Sequence, residues 1–184
     1  MNHLATSKED ILAASRELIK ENGWAAVSIR ALASRCSVSS GTIYNYYESK
    51  ADLLGETIES IWQEIFFHPE DEQIFHDAAA CISWIYERLE YGNRQFPGFF
   101  SLHSFSFMRE EKRWKKRMMK TWGHIQNGLC NVLKNDPKIR PDVFDQQFTE
   151  NQFADILFSL ILVAITRQDY DPSSVLMLIN KTLY

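Results

Sequence analysis

The sequence contains little of what interrupts or cross-links a chain, with 7 Gly, 5 Pro and 3 Cys in 184 residues. Cys36, Cys81 and Cys130 are far apart, form no CxxC pair and are odd in number. Neither a disulfide framework nor a metal-ligand spacing is therefore indicated. Long stretches between the Gly and Pro residues keep a helical spacing of apolar side chains, and 45% of the residues are hydrophobic. We expect an all-α fold with a substantial core.

The chain also lacks an apolar run of the roughly 18 residues that a transmembrane helix needs. Its N-terminus carries acidic residues where a signal peptide would have an apolar segment. The sequence thus predicts a cytoplasmic protein with no membrane partner. It has no metal-ligand cluster, no glycine-rich phosphate loop and no GxSxG motif, so we expect neither an enzyme nor a bound metal or cofactor.

An excess of positive charge, common in nucleic-acid-binding proteins, is missing as well. The net charge is −4 and the pI is about 5.7. Residues 1–60 hold six Lys and Arg against eight Asp and Glu. A nucleic-acid site in this chain must therefore depend on where a few charges are placed and not on bulk charge.

Capping and stop signals divide the N-terminal part into four helices. Ser7 and Asp10 form a capping-box pattern, Gly23 is a helix stop, and Ser28 and Ser49 are further N-cap residues. The second and third of these helices are short and joined by a three-residue turn, which makes them a helix-turn-helix candidate. The predicted ranges, in chain order, are 8–22, 29–36, 40–47 and 50–67.

The third predicted helix is too polar to be explained as core, because Ile43 is its main aliphatic residue. Its hydroxyl and amide side chains suit phosphates and base edges, and Gly41 allows the backbone to approach DNA closely. Lys50 begins the next helix, where the helix dipole disfavours a cation. Together with the free N–H groups of that helix end, Lys50 can bind a phosphate, and Ser28 marks a second such end.

Three stretches of the sequence, residues 11–24, 27–44 and 46–54, resemble the TetR family of bacterial transcriptional regulators in order, spacing and residue type. The resemblance covers about a quarter of the chain. It implies that Ile43 and Tyr47 are core residues. It implies phosphate contacts for Ser28, Thr42, Tyr46 and Lys50, and contacts to base edges or nearby backbone for Arg30, Ser39, Ser40, Gly41, Tyr44 and Asn45.

The same resemblance implies a second, larger helical domain that dimerises and holds a ligand. We therefore predict an N-terminal three-helix DNA-binding domain at residues 1–52 and a C-terminal helical bundle at residues 53–184, with about nine helices in total. The apolar surface of the last two helices exceeds what one partner helix would cover, which favours a dimer seam, although the same residues could fill the monomer core. The candidate dimer residues are Phe148, Phe153, Ile156, Leu157, Leu160, Val175 and Ile179.

The middle of the chain is rich in aromatic residues, which line apolar pockets as well as cores. We expect a repressor that binds a pseudo-palindromic DNA operator as a homodimer and is released by a small apolar or aromatic ligand. The alternative is a DNA-binding protein whose C-terminal domain is a protein-interaction platform with no inducer, for which the basic stretch at 109–120 could be a contact. The candidate ligand residues are Trp62, Phe66, Trp84, Phe99, Phe100, His103 and Trp122.

Overall fold

The computed structural model describes residues 6–66, 75–101 and 112–184, and in the helix that begins at Lys112 it describes the side chains of Met119 and of residues 122 onward. These residues form eight α-helices and one 3-10 turn, Trp24–Ala26, with no strand among them, which confirms the all-α expectation. The described helices are α1 (Lys8–Asn22), α2 (Ile29–Arg35), α3 (Ser40–Tyr44), α4 (Lys50–Phe66), α5 (Ala78–Gln95), α6 (Lys112–Asn135), α7 (Glu150–Arg167) and α8 (Ser173–Thr182).

The first helices begin where their capping residues predict. Ser7 accepts the Asp10 N–H at 3.1 Å, and the Asp10 carboxylate accepts the Ser7 N–H at 2.8 Å, so the capping box closes as expected. Gly23 follows α1 with φ at +79°, a left-handed conformation that glycine adopts without strain. Ser49 accepts the Asp52 N–H at 3.1 Å before α4. Local hydrogen-bonding groups therefore fix these boundaries.

Two compact units make up the chain, divided after residues 69, 91 and 111. One contains α1 to α4 together with the segment from Gly92. The other contains residues 70–91 and 112–184. The predicted functional boundary after residue 52 stays a prediction.

Helix α5 differs from its prediction at both ends. The sequence pattern predicts it over residues 71–91 with a break at Gly92, but it begins at Ala78 and continues to Gln95; residues 71–74 lie outside the described residues. A Cβ at position 92 would lie 2.5 Å from the Cδ1 atom of Ile65, which is fully buried. Gly92 therefore allows α4 to approach closely and does not end the helix.

The apolar spacing predicts a helix over residues 142–166, but α7 begins eight residues later, at Glu150. The Asp145 carboxylate accepts the N–H groups of Gln147 and Phe148, each at 2.7 Å, which holds this segment in a turn. Thr149 then caps the helix, and Gln152 accepts the Thr149 N–H at 2.8 Å in return. Side-chain bonds to the backbone thus override the apolar periodicity that predicted a longer helix.

A buried carboxylate, Asp136, organises the loop after α6. It accepts the Ala78 N–H at 2.8 Å, the Lys138 N–H at 2.9 Å and the Tyr184 hydroxyl at 2.6 Å. The start of α5 and the final residue are therefore joined to one point within the second unit. No helix in the described residues is long and apolar enough to span a membrane.

Candidate nucleic-acid interface

Helices α1, α2 and α3 share one apolar core. Ile11, Ile19, Leu32 and Ile43 are fully buried, and Tyr47 is 2% exposed. Ile43 and Tyr47 are thus core residues, as the resemblance implied. Because Ile43 is the buried residue of α3, the helix is anchored by one side chain and its remaining positions are left at the surface.

The α2–turn–α3 segment is a helix-turn-helix with a capping side chain at each helix start. Ser28 accepts the Ala31 N–H and Ser39 accepts the Thr42 N–H, both at 3.1 Å. In the turn, Ser37 adopts φ of +55°. Helix α3 ends at Tyr44, three residues earlier than predicted.

None of the ten predicted DNA-contact residues is buried. Tyr44 is 52% exposed, which is unusual for a large aromatic side chain without an external partner. Their assignment to DNA stays a prediction, but all are accessible at least in part. Ser28, Thr42 and Tyr46 are half-buried, and Arg30, Ser39, Ser40, Gly41, Tyr44, Asn45 and Lys50 are exposed.

Two of the predicted phosphate-contact residues have hydroxyl groups that already take part in hydrogen bonds within the protein. The Tyr46 hydroxyl donates to the Thr6 carbonyl at 2.5 Å, so its proton is used within the module. The Thr42 hydroxyl lies 3.0 Å from that of Ser39. A phosphate on Tyr46 would have to displace the Thr6 carbonyl, whereas Lys50 has no side-chain partner within residues 6–66 and is directly available.

Ion pairs occupy most of the basic side chains of this module. Arg16 and Lys20 both pair with Glu64, at 3.1 and 2.9 Å, so α1 is joined to α4. Lys8 pairs with Glu56 at 2.7 Å. Of the six Lys and Arg in residues 6–66, Arg30 and Lys50 have no acidic partner there.

Arg35, at the end of α2, is the fourth basic side chain of this module in an ion pair. Its partner is Glu21 of α1. Hydrogen bonding from Arg35 lowers the pKa of the Glu21 carboxyl. The same contact raises the pKa of Arg35 above its ordinary value. Both groups therefore stay charged together, and the Arg35 guanidinium is not free to meet a phosphate.

Four of the seven predicted ligand residues form one aromatic cluster in the first unit. The ring of Trp62 lies 5.5 Å from that of Phe66, 5.7 Å from that of Phe99 and 5.6 Å from that of Phe100. Phe99 and Phe100 are each 2% exposed and pack as core. Trp62 and Phe66 are half-buried, so they are the members of the cluster that an added molecule could touch.

The remaining ligand candidates are elsewhere. In the second unit the ring of Trp84 lies 5.2 Å from that of Phe75, and the ring of Trp122 lies 5.7 Å from that of Phe158. His103 lies outside the described residues. The seven candidates are thus divided between the two units and the undescribed residues, and their assignment to one ligand site stays a prediction.

A cleft of about 550 Å³ in the first unit involves none of the seven residues. There the Trp24 N–H donates to the Pro97 carbonyl at 2.9 Å, which joins the end of α1 to the turn after α5. This contact was not predicted from the sequence. The one sequence feature that pointed to it is a Trp next to a helix stop. The lining residues are Asn22, Gly23, Trp24, Ala25, Leu54, Pro97, Gly98 and Ser101.

The dimer candidates separate into two groups by exposure. Phe153, Leu157, Val175 and Ile179 are each at most 7% exposed, so they pack in the chain's own core, and their place in an interface stays a prediction. Ile156 is 42% exposed, and Phe148 and Leu160 are half-buried. Three further apolar side chains of α7 and α8 are exposed, Val163, Met177 and Leu178. The 156–163 spacing along α7 could have indicated the first of them.

Residues 11–57 match the model of the family described as bacterial regulatory proteins, tetR family. The match covers the helix-turn-helix segment and about a quarter of the chain, so it is this N-terminal segment that is similar to the family. A 44-residue match to the HTH-type transcriptional regulator UidR of Escherichia coli K12 is 41% identical. It covers 24% of this chain and 22% of UidR, so the chain matches about a fifth of that relative's length.

Solved structures extend the similarity in fold over nearly the whole chain. A transcriptional regulator from Rhodococcus sp. Rha1 superposes with a TM-score of 0.63 at 19% identity, covering 96% of this chain and 94% of that one. FadR from Bacillus subtilis, in complex with stearoyl-CoA, gives 0.62 at 20% identity, covering 97% and 100%. At these identities the likeness concerns the fold.

Proposed function

We propose that this protein is a transcriptional repressor that binds a pseudo-palindromic DNA operator as a homodimer. The observation that carries the proposal is the helix-turn-helix itself. One buried residue, Ile43, anchors α3 while its polar residues and Tyr44 stay at the surface. A short helix held in this way can enter a major groove without disturbing its own core.

Lys50 is the best-supported phosphate contact. It is exposed and is the first residue of α4, a helix of 17 residues whose initial N–H groups and dipole also attract an anion. A cation at the start of a helix lowers the stability of that helix. A role in binding phosphate would explain why a lysine occupies this position.

Dimer formation is supported by the exposed apolar side chains of α7 and α8. Ile156 and Val163 are two helical turns apart, and Met177 is 59% exposed on the next helix. A second copy packed on this surface would remove these side chains from water. It would also supply a second DNA-binding unit, or head, formed by α1 to α4. Two recognition helices about 34 Å apart match successive major grooves on one side of DNA.

A small apolar or aromatic ligand completes the proposal as the signal that releases DNA. Trp62 and Phe66 offer partly exposed rings on α4, the helix that Lys50 begins. A ligand held there would act on DNA binding only through a different affinity for the bound and free forms. The stearoyl-CoA complex of the similarly folded FadR is a precedent for an apolar ligand in this fold.

DNA selection with the purified full chain tests the proposal. Random duplexes should yield an enriched site with two inverted halves. Lys50→Ala should then weaken binding to selected and unrelated duplexes alike, and should flatten the dependence of log K on log salt by about one unit per head. Lys181→Ala, which removes an exposed lysine of α8, is the matched control. Absence of any enriched site, or equal slopes for the two variants, would count against the proposal.

A further inference from the structure

The exposed end of α3 presents two large neutral side chains that have hydrogen-bonding groups to spare. Tyr44 is 52% exposed, and the adjacent Asn45 is also exposed. Neither the Tyr44 hydroxyl nor the Asn45 amide makes a side-chain hydrogen bond in the described residues. The hydroxyls of Ser39 and Thr42, by contrast, are bonded to each other. Tyr44 and Asn45 are thus available to an outside partner.

No cation accompanies these two side chains. The sequence has no Lys or Arg between Arg35 and Lys50, and Glu21 holds Arg35 through two hydrogen bonds. Guanine in the major groove is most often recognised by a bidentate Arg or Lys, which α3 and its turns do not provide. An Asn amide pairs instead with N6 and N7 of adenine, and an apolar side-chain surface contacts the methyl group of thymine.

We infer that α3 recognises A·T base pairs, with Asn45 bonded to an adenine edge and the Tyr44 ring packed on a thymine methyl group. The Asn45 amide donates to N7 and its oxygen accepts from the N6 amino group. This inference rests on the proposed function, since it concerns the same DNA-binding surface. Of the two unpaired cations of the described head, Lys50 is the proposed phosphate contact, so any guanine preference belongs to Arg30 on α2 and lies at another position.

Base preference at single positions tests the Asn45 contact. The full chain, Asn45→Ala, Asn45→Gln and the control Asn127→Ala are each assayed on duplexes that vary every position of the selected half-site. Asn127 is an exposed asparagine of α6 in the other compact unit. We expect the unmodified protein to prefer adenine at one position by about 5- to 150-fold. This preference should be lost in Asn45→Ala and kept in Asn127→Ala. Asn45→Gln carries the same amide and should retain part of it.

Replacing thymine by deoxyuracil tests the Tyr44 contact, because uracil pairs as thymine does but lacks the methyl group. Binding by the unmodified protein should weaken at one thymine of each half-site. Tyr44→Ala should bind the two duplexes equally, whereas Tyr44→Phe should still distinguish them.

A guanine at the position that Asn45→Ala relaxes would overturn the inference and leave the proposed function intact. Equal binding of thymine and uracil duplexes at every position would contradict the Tyr44 contact in the same way. Failure of the unmodified protein to select any site would instead remove the proposed function, and the inference with it.

Discussion

The Arg35 guanidinium donates to both carboxylate oxygens of Glu21, at 2.5 and 2.6 Å. The pair joins the end of α2 to the end of α1 at the protein surface. Such an exposed pair adds little to stability. Its effect is on charge, because it cancels a cation that lies beside the turn of the helix-turn-helix.

Removing Glu21 should therefore change how DNA binding depends on salt. With Arg30 and Lys50 as the two unpaired cations of each described head, a dimer should give a slope of about −3.6 for log K against log salt. Glu21→Ala frees Arg35 and should steepen the slope by about 0.9 per head, with tighter binding to unrelated DNA. Glu90→Ala removes an exposed glutamate of α5 and is the control. Equal steepening in both variants would indicate a general charge effect and not the release of Arg35.

A charge on the exposed apolar surface of α7 should separate the proposed dimer. Val163 is 42% exposed, so Val163→Glu leaves the monomer core intact. It places a carboxylate in the interface, which should raise the dimer dissociation constant by about 100-fold. Sedimentation at several concentrations measures this directly. Asn127→Glu adds the same charge on α6 and should remain dimeric; a dimeric Val163→Glu would mean that another surface forms the interface.

Two helical glycines should respond to alanine with opposite signs. A methyl group at position 92 would overlap the buried Ile65, so Gly92→Ala should destabilise the protein by about 1–3 kcal/mol. No atom lies within 4 Å of a Cβ at position 128, so Gly128→Ala should stabilise α6 by up to about 1 kcal/mol through helix propensity. Denaturant unfolding compares the two variants.

Ile65→Val supplies the complementary change, because it removes the Cδ1 atom that would lie 2.5 Å from a Cβ at position 92. Alone it should cost about 0.5–1.5 kcal/mol, but in the Gly92→Ala background it should cost less or restore stability. Additive losses would show that the two positions do not contact each other as described.

The N-terminal helices were predictable because their boundaries depend on neighbouring residues. Ser7 and Asp10 satisfy each other's backbone groups, and Gly23 supplies the left-handed stop, whatever the rest of the chain does. Gly92, like Gly23, is a glycine, but it does not end a helix. Its role is set by Ile65, which lies 27 positions earlier in the chain, so a local pattern could not distinguish a close approach from a stop.

The candidate sites show the same limit. Spacing identified α7 as apolar, but it could not tell that Phe153 and Leu157 face the chain's own core while Val163 faces outward. The accessibility of the DNA-contact candidates on α3 was easier to predict, because the aliphatic anchor at position 43 leaves the other side chains of this helix outside. Ion pairs such as Arg16 with Glu64 join distant positions, and charge counting alone could not assign them.

Internal pairing of four basic side chains also bears on how a regulator of this kind would be distributed in a cell. A genome offers on the order of 10⁶ or more unrelated sites that compete for every DNA-binding protein through phosphate attraction. A head with two unpaired cations is held weakly by such sites, so less of the protein is sequestered on bulk chromosome. A small number of molecules would then suffice to fill an operator, and discrimination would come from neutral contacts that ionic strength hardly affects.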